Sequence, residues 1–291
     1  MESTKASLPG PLVTAMWLSI HLDEPDLVVL DTSWYLPVHG RDPDDEYRRA
    51  HIKGAVRFDL DAASDADSSL PHMVPTAERF AGLCERLGIR RDDRIVCYDG
   101  SGVNLSAARA WWLFRYFGHE RVAVLDGGFG AWARETRPVQ VGVVRRYPTG
   151  YHVPTPNPAL IRDLAGIERI VAGTESAQLV DCRSGERFRG EVDEPRPGLA
   201  RGHIPGSANI PFNTLTDPET GCYRKPAELA AMIAERGLDI TRPIVASCGS
   251  GVTACTLALA VEVVRAAGLG PVGPPVAIYD GSWSEWGQTA R

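Results

Sequence analysis

Residues 243–253 read PIVASCGSGVT, and residues 94–104 read RIVCYDGSGVN. Each is a short apolar run that stops at a Gly-Ser-Gly turn and leads into a stretch with helical apolar spacing. Continuous Ile/Val runs without polar alternation suit strands buried on both faces, as in a parallel sheet. A strand, a glycine loop and a helix in that order put the loop at the carboxyl edge of an open α/β sheet, where such folds build their sites. The two stretches differ at one chemically decisive position, Cys248 in the later copy and Asp99 in the earlier.

The duplication continues outward. LVVLDTSW (27–34) is matched by AQLVDCRS (177–184), and AHIKGAVRFDL (50–60) by GHIPGSANIPF (202–212). TAERFAGLCERLGI (76–89) pairs with PAELAAMIAERGLDI (226–240), and VAVLDGGFGAW (122–132) with VAIYDGSWSEW (276–286). The offsets are 150 for Asp31/Asp181, 152 for His51/His203, 149 for Gly100/Gly249 and 154 for Trp132/Trp286. Blocks in the same order at nearly constant offset mark a tandem repeat. Each half alternates strand-like runs with helical segments, which predicts an α/β fold of two domains, each an open parallel sheet flanked by helices. The proline-rich stretch between the halves reads as a linker. The expected boundaries are a first domain over residues 1–140, a linker over 141–157 and a second domain over 158–291.

The chain has 291 residues, 44% hydrophobic and 23% charged, with a formal net charge of −6 and no blocks of like charge. That balance speaks against nucleic acid or a membrane surface as partner. The first residues lack the apolar core of a signal peptide and no later run reaches membrane-spanning length, so a cytoplasmic location is expected. Six cysteines without a C-x-x-C pair suggest neither a disulfide framework nor a metal site. No cofactor is implied.

Cys248 sits where backbone amides of a glycine loop and a helix N-terminus can converge on its sulfur. Gly249 and Gly251 permit the turn, and amides from Gly249 through Val252 to Thr253 favour a thiolate or a negatively charged sulfur carried on it. A buried structural thiol is the ordinary state of a cysteine. The strand–loop–helix position outweighs it here. Asp99 at the matching position cannot do thiol chemistry, so the second half is expected to be catalytic and the first supporting.

The layout resembles the tandem rhodanese family of sulfurtransferases. The resemblance runs from about residue 12 to residue 286 through HIKGAVRFDLD, ERFRG, EPRPG, GHIPGSANIPF, CGSGVTA and DGSWSEW. It implies two rhodanese-like domains, the first non-catalytic, and a persulfide on Cys248 as intermediate. Thiosulfate-using members carry basic residues just after the cysteine, where this chain has Gly249 and Ser250, so 3-mercaptopyruvate is the expected donor and thiosulfate the alternative. The resemblance places a guanidinium clamp for the donor carboxylate on Arg187 and Arg196, suited to bidentate anion binding. Arg189 in the same insert reads as scaffold. It also joins Asp61 and His72, from the first half, to Ser250 in a proton relay. Asp59, two residues before Asp61, is the competing carboxylate. A small thiol, thioredoxin or cyanide would accept the sulfur.

Rival chemistries fail on single positions. Cysteine phosphatases and arsenate reductases need an arginine six residues after the cysteine, and Ala254 stands there. A dinucleotide site would need a third glycine and an acidic ribose partner. A non-catalytic binding module would suit the first half alone. Asp126 and Asp280 read as turn residues after strands, His51 and His203 as fold residues, and Cys255 as core.

Overall fold

A computed structural model of the chain describes residues 7–153 and 155–288. The first half supplies β1 (Leu12–Val13), β2 (Leu27–Asp31), β3 (His51–Ile52), β4 (Val56–Arg57), β5 (Arg94–Tyr98), β6 (Val122–Leu125) and β7 (Val139–Gln140). The second supplies β8 (Ile161–Arg162), β9 (Gln178–Asp181), β10 (Ala208–Asn209), β11 (Ile244–Ser247) and β12 (Ala277–Tyr279). Two five-stranded sheets result, ordered β1-β6-β5-β2-β4 and β10-β9-β11-β12-β8, with every pairing in them parallel. Read from opposite ends these are one order, with β5 and β11 at the centre. The sequence repeat is thus a repeat of topology.

Every residue of β2, β5, β6 and β11 is buried, as their unbroken apolar runs require. Side chains alternate between the two faces of each strand. In the first sheet Val28, Leu30, Ile95, Cys97 and Val124 face one apolar cluster, while Val29, Val96, Tyr98 and Ala123 face another. In the second sheet Val180, Ile244, Ala246 and Ile278 join the first of these clusters, and Leu179, Val245 and Tyr279 build a third. One core is therefore shared by both halves, each with its own outer core.

The shared core is filled by the helices Leu105–Tyr116 and Ala254–Ala266, which pack on each other and are buried nearly all round. Each large apolar side chain enclosed there contributes about 1.5–3 kcal/mol. These are the helices that follow the two Gly-Ser-Gly loops, so the packing that joins the halves also turns both loops toward their boundary.

Two features went beyond the sequence reading. β3 and β7 form a small antiparallel pair, too short to leave a periodic signal. The proline-rich stretch is docked rather than free, since Tyr151 is buried with its hydroxyl 3.0 Å from His119 Nδ1, and Thr149 N donates to Glu85 O. Among the described residues no helix is long and apolar enough to cross a membrane.

Candidate active site

Cys248 follows β11 directly and is buried. The loop after it is shaped by what captures its carbonyls. Cys248 O accepts from Trp283 N at 3.0 Å, and Gly249 O from Ser284 N at 2.9 Å and Ser284 Oγ at 2.6 Å. Gly251 O accepts from Arg109 Nη1 at 3.3 Å. A planar trans peptide points its C=O and N–H in opposite directions, so carbonyls held from beneath turn the next amides upward. None of the amides from Gly249 to Thr253 donates to an acceptor among the described residues. With the N-terminal end of the helix Ala254–Ala266 behind them, they form a cradle for negative charge. Gly251 has φ +73, and a Cβ there would lie 3.0 Å from Asp280 O, so only glycine suits the turn.

The cradle opens into a cavity of about 280 Å³ between the halves, walled by Trp34, Leu36 and Val103 from the first and Arg187, Arg196 and Phe212 from the second. Both arginines lean over the loop, and a Cβ on Gly249 would lie 3.2 Å from Arg187 Nη2 and 3.9 Å from Arg196 Nη1. Their electrostatic situations differ. Arg187 pairs with the buried Glu194 carboxylate, which also takes Arg183 Nη1 at 2.8 Å, and Arg183 is paired in turn with Asp181. Arg196 has no carboxylate or hydrogen-bond acceptor among the described residues. Burial lowers its pKa, the nearby Cys248 sulfur works against that, and Arg187 adds to it. A half-buried guanidinium left uncompensated beside a nucleophile is a binding site for an anion.

Asp61 and His72 reach the loop from the first half. Ser250 Oγ lies 2.9 Å from His72 Nδ1, and His72 Nε2 lies 3.3 Å from Asp61 Oδ1. Trp34 Nε1 donates to Asp61 Oδ2 at 3.2 Å, and the indole packs edge-on against the imidazole with ring centroids 4.6 Å apart. Asp59 does not join this chain; its carboxylate accepts the Asp61 backbone amide and closes the turn that presents Asp61. Burial pushes the His72 pKa below its ordinary 6.5, opposed by Asp61, while the hydrogen bond to His72 lowers that of Asp61. With a carboxylate beside Nε2, the neutral ring carries its proton there and leaves Nδ1 to accept from Ser250.

Arg189 pairs with Glu191 at the surface, away from the cavity. Cys255 is enclosed, its thiol donating to Gly251 O at 3.3 Å, and burial pushes its pKa up to about 12. Sequence reasoning missed Trp34, Glu194 and Arg183, which hold the predicted residues in place. It also read Asp280 as a turn residue, whereas Asp280 is buried and ion-paired with Arg109 at 2.8 Å. The signal was available in the matched L-D-G and Y-D-G endings of both halves.

A model of the rhodanese-like domain matches residues 14–135 and again residues 168–289. The chain belongs to the rhodanese family. It is 42% identical to human 3-mercaptopyruvate sulfurtransferase over 96% of this chain and 93% of that one. It is 39% identical to rat thiosulfate sulfurtransferase over 94% of this chain and 91% of that one. Its fold is similar to the crystal structure of the Escherichia coli 3-mercaptopyruvate sulfotransferase, with a TM-score of 0.82, 37% identity and coverage of 95% and 100% of the two chains. The rhodanese unit occurs twice, and the cysteine stands in the loop of the second rhodanese domain.

Proposed function

We propose that this chain is a sulfurtransferase that moves sulfur from 3-mercaptopyruvate to a thiol through a persulfide on Cys248, with pyruvate as the other product. The observation that carries the reading is the setting of Cys248: unpartnered amides below it, Arg196 and Arg187 above it, and the Ser250–His72 pair at its side. The guanidinium groups hold the donor carboxylate, Arg196 by charge it has not shared and Arg187 by a fork that Glu194 keeps oriented. The Cys248 thiolate attacks the donor sulfur, forming an S–S bond. The C3–S bond breaks, and its electron pair goes to the enolate of pyruvate. Ser250, with His72 as the proton reservoir and Asp61 stabilising the charged ring, takes the donor's thiol proton and returns it to C3. The outer sulfur is left anionic in the amide cradle, including those of Gly251, Val252 and Thr253. An acceptor thiolate, from a low-molecular-weight thiol or a thioredoxin-type protein, then attacks that sulfur and regenerates the Cys248 thiolate. Splitting the transfer into two displacements predicts ping-pong kinetics.

All six cysteines are free, consistent with work in a reducing, cytoplasmic setting. Thiosulfate is the second reading, favoured by the rat relative. Its leaving group, sulfite, needs no proton on carbon, so the relay would have no task. The test is kcat/KM for 3-mercaptopyruvate and thiosulfate with one acceptor at one pH. Preference for mercaptopyruvate supports the reading, and preference for thiosulfate makes the second reading the right one.

A further inference from the structure

Arg109 is enclosed, and its guanidinium touches three groups from two domains. Nη2 donates to His72 O at 2.6 Å and to Asp280 Oδ1 at 2.8 Å, and Nη1 donates to Gly251 O at 3.3 Å. The other Asp280 oxygen accepts Val74 N at 2.7 Å. One ion pair thus holds both backbone polar groups that flank Met73 and the carbonyl next to Ser250. His72 has φ +60, a left-handed conformation unfavourable for a non-glycine residue, so it persists only where its surroundings impose it. The bond from Arg109 to the His72 carbonyl is such an imposition.

The repeat provides a control. Asp126, the counterpart of Asp280, also reaches across the domain boundary, accepting Tyr223 N at 2.8 Å. The counterpart of Arg109, at the loop offset of 149, is Ala258. Asp126 has no cation partner among the described residues. A cross-domain aspartate thus occurs at both places, and the arginine accompanies it only where His72 meets the cysteine loop.

We infer that Arg109, held by Asp280, is a positioning residue for proton transfer: one guanidinium fixes the His72 backbone and the Gly251 carbonyl, and so sets the Ser250–His72 distance. This rests on the relay reading of His72 above. Misplacing that pair should slow the protonation of carbon without weakening donor binding, because Arg187 and Arg196 belong to a different segment. Turnover of thiosulfate, which needs no such proton, should be spared.

The experiment measures kcat, KM and Tm for Arg109→Lys, Asp280→Asn and His72→Ala with both donors. Arg109→Lys keeps the charge but cannot reach three acceptors, and Asp280→Asn keeps the shape and an acceptor for Val74 if the first variant fails to fold. The expected result is a kcat for mercaptopyruvate lower by roughly 10- to 100-fold in either variant, with KM within about twofold and thiosulfate turnover retained. Equal losses with both donors, or an unchanged kcat while His72→Ala is impaired, would overturn the inference and leave the relay standing. Full mercaptopyruvate turnover in His72→Ala would overturn the relay reading and this inference with it.

Discussion

In the loop after β5 the Asp99 carboxylate occupies the place that the loop after β11 leaves open. Oδ1 of Asp99 accepts Ser101 N at 2.8 Å and Ser101 Oγ at 2.5 Å, and Oδ2 accepts Ser106 N, Ser106 Oγ and Ala107 N at 2.9–3.0 Å. Gly100 N is taken by Ser33 Oγ. In the second loop the amides from Gly249 onward find no acceptor among the described residues, and the shorter Cys248 side chain leaves room above them. Buried backbone donors must be satisfied by something. The first domain carries its own carboxylate and becomes a fixed structural turn; the second keeps the same frame without a carboxylate among its amides.

Changes of four kinds bear on that contrast. Cys248→Ser should abolish sulfur transfer with the fold intact, since a hydroxyl cannot carry the transferred sulfur; residual turnover above background would remove the nucleophile assignment. Next in size, Arg196→Ala should lower kcat/KM for mercaptopyruvate by roughly 10- to 100-fold, the worth of charge-assisted hydrogen bonds of about 1.5–3 kcal/mol. Arg187→Ala should act in the same direction, and equal losses with thiosulfate would show that neither arginine reads the carboxylate.

The third change concerns pH. His72 must be neutral to accept a proton through Ser250, so kcat should fall as pH drops through a pKa that burial has moved below 6.5. Asp61 raises that pKa, while Arg109 and Arg196 lower it. Asp61→Asn should therefore carry the acid limb to lower pH as well as reduce kcat, and a limb that stays put or moves upward would take His72 out of the relay. The smallest effect on catalysis belongs to the first loop. Asp99→Asn places an amide donor among donors and should cost about 1–3 kcal/mol of stability, read as a lower Tm, with kcat unchanged. Asp99→Cys should take up no sulfur, because the arginine that leans over that loop, Arg41, is already bound to Glu46 and the Gly100 carbonyl, and no second arginine joins it among the described residues.

The fold was legible in the sequence because the repeat supplied its own alignment, and because strands buried on both faces leave unbroken Ile/Val runs such as PIVA. Cys248 and the amide cradle were legible for a related reason, since strand, loop and helix are contiguous in sequence, whereas the part of Ser250 in a relay came through family resemblance. Arg187, Arg196, Asp61 and His72 came only through family resemblance, since nothing in local spacing says that residue 72 will meet residue 250. The supporting shell stayed hidden. Glu194 and Arg183 look like ordinary surface charges until burial pairs them, and Arg109 looks like an interruption in an apolar helix until Asp280 arrives from the other domain. Long-range ion pairs leave no periodic trace.

The most direct test is intact-protein mass spectrometry after incubation with 3-mercaptopyruvate and no acceptor, followed by peptide mapping. The expected result is one added sulfur atom, located on Cys248 and removed by a thiol or cyanide. No adduct, or an adduct on another cysteine, would contradict it.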